Sequence, residues 1–507
     1  MNNTITKEFQ KLVDINTPII VIEDFDFARV DAQIKEAIRF GTIEEWNPAT
    51  GDTKFENKEQ RNPSSYINLE TFLLSRYQNE LYTKERALVL KNIERYLDNP
   101  RVVSLLQMMA QRRLYDRSCN TYIILVSPSI NLPEEVLKYA SFLDIPFPDE
   151  KEIDELIESH VRENHCEEFD EENIPRLRES LKGLSRYDID RVLDMAMSKN
   201  GTLSKEDNDM IRKQKKAMVK KSGLVEYIDS TLKIDDIGGL DYLKKYLTQK
   251  KAVMADLSKA KQKGVKTPKG IFIVGMPGCG KSLCAKAVAN TFGIPLLKLD
   301  MGSMMGKYVG QSEKNLRDAL KLAEATAPCV LWMDEIEKAF SGTGGHNDVL
   351  TRMFGYFLSW MQEKTSSVYV VATANSAENL PPELKRKGRF DEIFCVNLPN
   401  PKEREAIFNV HYKRLLSLGY PECSFENAAQ KTEGFNGADI ESVINETVET
   451  CYVNNDSFSS KNVLETIKKT TSISRSCGAQ IKAMEEVFRS SCFVDATSGA
   501  LTNKANQ

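Results

Sequence analysis

The chain lacks a zinc-protease motif, a paired-cysteine motif and a long apolar run, and each absence excludes a class of protein. Its four histidines form no H-E-x-x-H sequence, which is the helical zinc site of metalloproteases. His160 and His165 do not have that spacing either, so we favour no metal site there. The ten cysteines contain no C-x-x-C pair, which predicts reduced thiols in the cytoplasm. No stretch approaches the roughly 18 apolar residues of a membrane span, and residues 1–9 lack the apolar core of a secretory signal.

Size and composition indicate a multidomain globular protein whose charge is unevenly placed. The 507 residues are 41% hydrophobic and 28% charged, which predicts roughly two to four domains. Acidic side chains dominate 144–172, and basic ones dominate 212–269. No aromatic residue interleaves the dense basic run 212–216, and the formal net charge is −4. We therefore favour a solvated helical linker, with nucleic-acid binding as the alternative.

The sequence Gly275-Met-Pro-Gly-Cys-Gly-Lys281-Ser282 has the spacing of a phosphate-binding P-loop. It follows the apolar run 271–274 and precedes a helical pattern, which is the context that this motif requires. Glycine-rich main chain at a helix N-terminus can turn its N–H groups toward phosphate oxygens. Lys281 can reach the β- and γ-phosphates, and the Ser282 hydroxyl can bind Mg²⁺. Redox control through Cys279 is an alternative that we disfavour against a small packed side chain. The chain is therefore predicted to bind a nucleoside triphosphate.

Two further apolar runs end in the polar residues that hydrolysis needs. The run 329–333 ends at Asp334 and Glu335, and the run 368–374 ends at Asn375. Such runs are typical of strands buried on both faces of a parallel sheet, and nucleotides bind at the carboxyl ends of these strands. We predict that Asp334 holds Mg²⁺, Glu335 polarises the attacking water and Asn375 orients it. Acids that only cap a loop are the competing interpretation, which the convergence of three strand ends disfavours.

With three more motifs, these residues resemble the AAA branch of P-loop ATPases over about 232–451. The motifs are Asp235-Asp-Ile-Gly-Gly-Leu240, Leu384-Lys-Arg-Lys-Gly-Arg-Phe-Asp391 and Gly434-Phe-Asn-Gly-Ala-Asp-Ile440. The resemblance implies ATP and Mg²⁺ as cofactors, and it places the first and last motifs around the adenine and ribose. The nucleotide contacts predicted from the P-loop and from this resemblance are Ile237, Gly238, Pro277, Gly278, Cys279, Gly280, Lys281, Ser282, Leu283, Gly437 and Ala438.

The middle motif resembles the segment that carries the arginine fingers of AAA proteins. The resemblance implies that Arg386 and Arg389 reach the ATP bound by a neighbouring copy, and hence that the protein forms a ring, usually a hexamer. The lid motif 434–440 contains no arginine, as in the AAA branch without a lid arginine acting in cis. An arginine supplied in trans would make hydrolysis depend on assembly, because the γ-phosphate transition state is slow to form without neutralisation.

A narrower resemblance covers nearly the whole chain. Residues 332–340, 357–364 and 380–384, and the C-terminal stretch 472–481, resemble an uncharacterised AAA family of cyanobacteria and algal plastids. Members of that family carry a degenerate ATPase-like domain before the active one. The resemblance implies the same arrangement here, and it implies no particular substrate.

The segment Gly306-Lys-Tyr308-Val-Gly310 occupies the place of the central-pore loop of AAA unfoldases. An aromatic ring beside flexible glycines can grip an extended polypeptide by apolar contact. A packing role for Tyr308 is the alternative.

The first half has strands without the chemistry of the second half. The apolar run 18–22 is followed by acidic residues instead of a P-loop, and 87–90 is followed by Lys91 instead of an acidic pair. The run 121–126 is followed by Ser127-Pro128. Strands alternating with helical patterns predict a parallel α/β domain. We interpret it as an ATPase-like domain that lost its active site and serves assembly or partner binding. An unrelated α/β domain is the alternative.

The sequence thus predicts an α/β protein, with a P-loop NTPase sheet and helical lid preceded by a degenerate ATPase-like domain. The expected segments are the degenerate domain at 1–200, a basic helical linker at 201–231, the ATPase core at 232–398, the lid at 399–456 and a C-terminal helical tail at 457–507. We expect an ATP-hydrolysing oligomer that remodels a protein partner. The alternatives are a nucleic-acid-associated motor or loader, and a scaffold whose assembly ATP controls.

Overall fold

The computed structural model describes most of the chain in two compact units, 1–207 and 208–507. The described residues are 3–24, 26–38, 41–61, 66–78, 86–116, 119–163, 173–200, 203, 207–302, 304, 311–337, 346–376, 382–386, 388–491 and 493–502. Each unit is built around its own sheet.

The first unit alternates short strands with helices. Its described strands are β1 Ile19–Glu23, β2 Thr42–Asn47, β3 Gly51–Lys54, β4 Arg86–Lys91, β5 Thr121–Ser127 and β6 Ala140–Phe142. Its described helices are α1 Asn3–Asp14, α2 Phe27–Ala37, α3 Leu69–Gln78, α4 Pro100–Tyr115, α5 Glu134–Leu137, α6 Glu150–Glu163, α7 Ile174–Leu181 and α8 Arg186–Asn200.

The sheet of this unit has the strand order β3-β2-β4-β5-β1-β6. Its neighbours are parallel except for the antiparallel pair β2–β3. The predicted apolar runs form β1, β4 and β5, which lie side by side and are buried on both faces. Alternate residues of these strands pack under α3 and α4 on one face and under α1 and α2 on the other, as two-sided parallel sheets require.

Helix α9 Asp207–Ser222 follows, and it contains the dense basic run of the predicted linker. Not all of its lysines are solvated. Lys215 is buried, and Lys216 forms an ion pair with Asp229.

His160 of α6 lies 3.8 Å from Asp190 and 3.3 Å from Asp194 of α8. His165 lies outside the described residues.

The second unit contains the P-loop. Its described strands are β7 Glu226–Ile228, β8 Gly270–Gly275, β9 Leu296–Leu299, β10 Cys329–Met333, β11 Val368–Ala374, β12 Glu392–Val396 and β13 Val494–Asp495. Its described helices are α10 Asp241–Ala255, α11 Leu257–Gln262, α12 Lys281–Phe292, α13 Gln311–Ala325, α14 His346–Glu363, α15 Pro401–Leu416, α16 Glu426–Lys431, α17 Gly437–Asn454, α18 Ser460–Lys469, α19 Ile473–Ser476 and α20 Gly478–Ser490.

The second sheet has the order β13-β12-β8-β11-β10-β9-β7, parallel except for the pair β7–β9. In each unit, five successive parallel strands have the same order when numbered along the chain, 5-1-4-3-2. They are β6-β1-β5-β4-β2 in the first unit and β12-β8-β11-β10-β9 in the second. This shared topology confirms the predicted fold class, a P-loop type sheet preceded by a second ATPase-like α/β domain.

The helices after β12 form a small layer with its own core. Helices α15, α16, α17 and α18 pack on one another. Phe408 stacks on Phe425 with ring centroids 5.3 Å apart, and Tyr412 meets Phe425 edge-on at 5.1 Å. The chain then returns to the main sheet, where β13 pairs with β12. That final strand was missed by the sequence analysis, which expected only helix there.

Within the described residues, each helix is too short or too polar to cross a membrane.

Candidate active site

The P-loop turns between β8 and α12 as its glycines allow. Gly278 and Gly280 have positive φ angles of 73° and 84°, a conformation that side chains with a Cβ rarely adopt. Helix α12 begins directly after Gly280, so its free N–H groups and its positive dipole end are at the loop. This is the geometry that binds phosphate oxygens at a helix N-terminus.

Lys281 places a buried ammonium group at this loop. It is 6% exposed, and its Nζ donates to the carbonyl oxygens of Gly275 at 2.8 Å and Met276 at 2.7 Å. Burial lowers the pKa of Lys281, and the nearby acids, Glu337 first among the carboxylates, partly offset that effect. A buried cation beside a helix N-terminus fits a polyphosphate ligand, because both features favour negative charge.

Ser282 and Asp334 meet although they are far apart in sequence. The Ser282 hydroxyl lies 3.2 Å from Oδ1 and 3.4 Å from Oδ2 of Asp334, where β10 ends beside the P-loop. A hydroxyl and a carboxylate are hard oxygen donors of the kind that Mg²⁺ prefers, together with water and phosphate oxygens. These two residues therefore fit the ion that the family resemblance implies.

Glu335 and Asn375 are joined across two neighbouring strand ends. Asn375 donates from Nδ2 to Glu335 Oε1 at 2.7 Å. Glu335 has a positive φ of 50°, which is uncommon for a residue with a side chain and is found at functional sites. This backbone geometry sets the direction of a carboxylate that the sequence predicts to polarise water.

Thr373 is a site residue that the sequence analysis missed. It is fully buried in β11, its hydroxyl donates to Asp334 Oδ1 at 2.5 Å, and it accepts the N–H of Glu335 at 3.2 Å. A single hydroxyl thus fixes both members of the acidic pair. The only sequence signal was one threonine within an otherwise apolar strand.

Replacing Thr373 by valine should slow ATP hydrolysis while the protein still folds. Valine has nearly the same shape but removes both hydrogen bonds, and losing such a supporting contact costs about 10–100-fold in metal affinity or activity. The measurement is steady-state ATPase activity with the Mg²⁺ dependence of the rate. Thr373→Ser keeps the hydroxyl and should retain most activity. Equal rates for the valine and serine variants would contradict this role.

Glu337 is a second missed residue. It is 9% exposed, and its Oε1 accepts the main-chain N–H of Asn375 at 3.0 Å. Glu337 therefore holds the main chain of Asn375, the residue whose side chain contacts Glu335. Its position two residues after Glu335 was the available signal.

The lid contacts the P-loop directly. Asn436, which caps α17, donates from Nδ2 to the carbonyl oxygen of Pro277 at 2.8 Å, and Ala438 donates its N–H to Gly278 at 3.2 Å. A Cβ on Gly278 would lie 2.4 Å from Asn436 Nδ2, and one on Gly437 would lie 2.9 Å from the Gly278 oxygen. Gly437 and Ala438 are thus brought to the loop that was predicted to bind phosphate.

The predicted adenine segment lies against the first lid helix. Ile237 is buried, and a Cβ on Gly238 would lie 2.5 Å from Ile407 of α15. Glu403, also on α15, accepts the Leu240 N–H at 3.1 Å and the Thr497 hydroxyl at 2.5 Å. One lid carboxylate therefore ties the predicted adenine segment to the turn that follows β13. The adenine contacts themselves stay a prediction.

Cys279 and Leu283 differ in exposure within the predicted nucleotide segment. Burial raises the pKa of the Cys279 thiol to about 11, so the thiol stays protonated near neutral pH, where the thiolate is the reactive form. Leu283 is 40% exposed on the first turn of α12. The low thiolate content favours the packing interpretation of Cys279.

The two predicted finger arginines lie on the loop before β12. Arg386 is 69% exposed and 3.9 Å from Glu383 Oε1. Arg389 donates from Nη1 to the carbonyl oxygen of Glu383 at 2.5 Å. These described contacts are within their own loop, which leaves the exposed Arg386 guanidinium directed to the surroundings. Tyr308 and the rest of 305–310 lie outside the described residues, so the pore-loop prediction stays open.

The corresponding strand ends of the first unit carry a different chemistry. Lys91 ends β4, which has the same place in its sheet as β10 has in the second unit. Its Nζ lies 2.7 Å from Asp31 and 3.1 Å from Glu45. Lys58 pairs with the same two acids. At the start of α2, the Asp26 carboxylate accepts the N–H of Arg29 at 3.1 Å. The chain's own ion pairs and cap thus occupy the positions that bind Mg²⁺ and phosphate in an active P-loop domain.

Comparison with known proteins agrees with this two-part organisation. Residues 271–398 match the ATPase family associated with various cellular activities (AAA). The earlier part matches the N-terminal domain of a SpoVK-like AAA ATPase over 5–145 and the second domain of that type over 151–222. The chain is 33% identical over 495 residues to the uncharacterized AAA domain-containing protein ycf46 of Guillardia theta, which covers 95% of this chain and 94% of the relative.

The chain belongs to this family of AAA proteins. A second member, ycf46 of Pyropia yezoensis, is 31% identical over 488 residues, covering 95% of this chain and 96% of the relative. These matches confirm the resemblance to a plastid AAA family with an ATPase-like domain before its AAA domain. A more distant match is the ATP-dependent zinc metalloprotease FtsH of Ralstonia pickettii, 34% identical over 223 residues, or 42% of this AAA protein and 30% of the relative.

Proposed function

We propose that this AAA protein hydrolyses ATP with Mg²⁺ and works in the cytoplasm as a ring of copies, with six as the expected number, to remodel a protein partner. The observation that carries the proposal is the pairing of Glu335 with Asn375 at 2.7 Å beside the Ser282–Asp334 contact. A protein that only binds nucleotide would not require a carboxylate held by an uncommon backbone conformation beside the Asn375 amide.

Each residue of the cluster has a distinct part in the proposed reaction. The P-loop N–H groups and Lys281 bind the phosphates, and Ser282 and Asp334 supply oxygens for Mg²⁺ and its water shell. Mg²⁺ held at these oxygens would supply positive charge that neutralises the phosphate oxygens. Glu335 accepts hydrogen bonds from the attacking water and takes up its proton, while Asn375 fixes the direction of Glu335. The products are ADP and phosphate.

Assembly would complete the site. Arg386 and Arg389 are proposed to reach the γ-phosphate bound by the next copy, where a guanidinium neutralises transition-state charge. The exposure of Arg386 supports this assignment, since a side chain that is 69% exposed in one copy is free to enter another copy's site.

A nucleic-acid partner is the second candidate, and one surface favours it. Helices α10 and α11 and the loop after them carry six exposed lysines, Lys245, Lys251, Lys259, Lys261, Lys263 and Lys266. Such a patch can neutralise nucleic-acid phosphates. Stimulation of the ATPase by DNA or RNA that fades as salt rises would select this candidate over a protein partner.

The function is tested by capture with a hydrolysis-deficient variant. Glu335→Gln should bind ATP without turning it over and should therefore retain its partner. Lys281→Ala, which lacks the phosphate-binding ammonium, is the matched control. A protein bound to Glu335→Gln in ATP, absent from the Lys281→Ala capture, is the expected result. Nucleic acid in its place would favour the loader, and copies of the chain alone would favour an ATP-controlled scaffold.

A further inference from the structure

The loop that carries the predicted finger arginines is fastened to the strand that leads into the P-loop. We define the finger loop as residues 382–391, of which 387 lies outside the described residues. At its end, Asp391 Oδ2 accepts the main-chain N–H of Lys269 at 2.9 Å and of Gly270 at 3.2 Å. Asp391 returns its own N–H to the Gly270 oxygen at 2.8 Å. One carboxylate therefore satisfies two donors at the start of β8.

Lys269 adds a second fastening from the strand side. Its Nζ donates to the carbonyl oxygen of Gly388 in the finger loop at 2.7 Å and to that of Gln362 at the end of α14 at 2.6 Å. Hydrogen bonds from a charged donor are about twice as strong as neutral ones. Lys269 thus ties the finger loop and α14 to the beginning of β8.

An aromatic contact lies between Asp391 and Arg389 in the chain. Phe390 is 6% exposed and stacks on Phe272 of β8, with ring centroids 5.6 Å apart and ring planes 27° from parallel. Arg389 is the residue directly before this buried ring. Arg389 therefore lies between two held residues, Gly388, whose carbonyl oxygen accepts from Lys269, and the stacked Phe390.

The fastening point itself has little room to shift. A Cβ on Gly270 would lie 2.0 Å from the Val370 oxygen, so the start of β8 is pressed against β11. Because β8 runs from Gly270 to Gly275, the finger loop is held at one end of the strand and the P-loop follows the other. The anchor is thus distant from the nucleotide of its own copy.

We propose that Asp391 and Lys269 are positioning residues for the finger arginines. They hold the finger loop on the start of β8 so that Arg386 and Arg389 are presented to the ATP of a neighbouring copy. The inference rests on the proposed function, in which these arginines act in trans. Neither residue contacts the nucleotide of its own copy in this assignment, so their loss should leave ATP affinity unchanged.

The first test asks whether an Asp391 variant behaves like a finger variant or like a P-loop variant when it is mixed with each of them in one ring. Asp391→Ala should lower ATPase activity by about 100-fold, the loss that a misplacement near 1 Å can cause, with nucleotide affinity unchanged. Mixing it with Lys281→Ala, which has intact fingers, should restore activity. Mixing it with Arg389→Ala should not, since both lack a working finger. Asp391→Asn, which keeps an acceptor oxygen, should lose less.

The reverse pattern would overturn the proposal. Rescue of Asp391→Ala by Arg389→Ala but not by Lys281→Ala would mean that Asp391 supports its own P-loop. If Asp391→Ala does not assemble, Lys269→Met removes only the Nζ contacts and should show the same complementation, with Lys269→Arg as its conservative control. The assignment would also be rejected if Lys269→Met were not rescued by Lys281→Ala, or if it were rescued by Arg389→Ala.

A second test stays valid if fingers do not act in trans. In a background of Arg386→Ala with Arg389→Ala, adding Asp391→Ala should cause no further loss in single-turnover hydrolysis, because the groups it positions are already gone. A further loss there would overturn the proposal whatever the arrangement of copies. Absence of rescue between Arg389→Ala and Lys281→Ala would instead count against the proposed function alone.

Discussion

Glu335→Gln is expected to bind ATP normally and to lose nearly all turnover. Glutamine keeps the size of the side chain and can still meet Asn375, but it cannot take up a proton from water. Losing a positioned general base costs about 100- to 10,000-fold, and the site retains its phosphate and Mg²⁺ contacts. Steady-state ATPase activity and equilibrium binding of a fluorescent ATP analogue measure the two effects separately.

The matched control is Glu363→Gln, an exposed glutamate at the end of α14 in the same unit. It makes the same chemical change away from the strand ends and should keep full activity. Turnover of Glu335→Gln near the normal rate would remove Glu335 from the mechanism. Loss of ATP binding along with turnover would show instead that the substitution disturbs the strained backbone, whose φ is 50°.

Residues that share a motif could be placed from the sequence, because the motif itself fixes their geometry. The P-loop spacing located Lys281 and Ser282, and apolar runs located the strand ends at Asp334 and Asn375. Since parallel strands bring their carboxyl ends to one edge, these residues were expected to meet, and Ser282 lies 3.2 Å from Asp334. The expectation needed only strand direction and no side-chain detail.

Residues that act through tertiary contacts could not be found in this way. Thr373 and Glu337 matter because of the residues that they contact just beyond the ends of β10 and β11. Nothing in the local sequence of either residue identifies that partner. The strand β13 was missed for a related reason. It comprises only Val494–Asp495, too short for a periodic pattern, and it is strand because β12 offers an open edge.

The first unit contains one feature that the sequence predicts and one that it does not. The replacement of an acidic pair by Lys91 was visible in the sequence and predicted a lost Mg²⁺ site. The network that replaces it was not visible, because Asp31, Glu45 and Lys58 come from three separate elements. Buried charges must be paired to be tolerated. A lysine at the end of a buried strand therefore requires acids nearby, but the sequence does not say which ones.

Arg389→Ala is expected to abolish hydrolysis while leaving ATP affinity intact, and to be rescued by a partner that cannot bind ATP. A finger arginine is worth about 1,000-fold or more in kcat, and it is proposed to contact only the nucleotide of the next copy. In a ring mixed with Lys281→Ala, some sites combine an intact P-loop from the first variant with an intact finger from the second. Those sites should hydrolyse ATP, with a maximum at intermediate mixing ratios.

The control for this prediction is Arg489→Ala, which removes an arginine that is 80% exposed on α20 and lies 3.9 Å from Glu485. It changes surface charge by the same amount and should leave both activity and its dependence on protein concentration unchanged. Mixed ATPase titrations with analytical ultracentrifugation separate catalysis from assembly. If every mixing ratio of Arg389→Ala and Lys281→Ala stays inactive while rings form, the arginine does not act across copies. Activity that falls with dilution, in parallel with loss of the ring, would be the independent sign that the site requires two copies, because a site complete within one copy has no reason to depend on concentration.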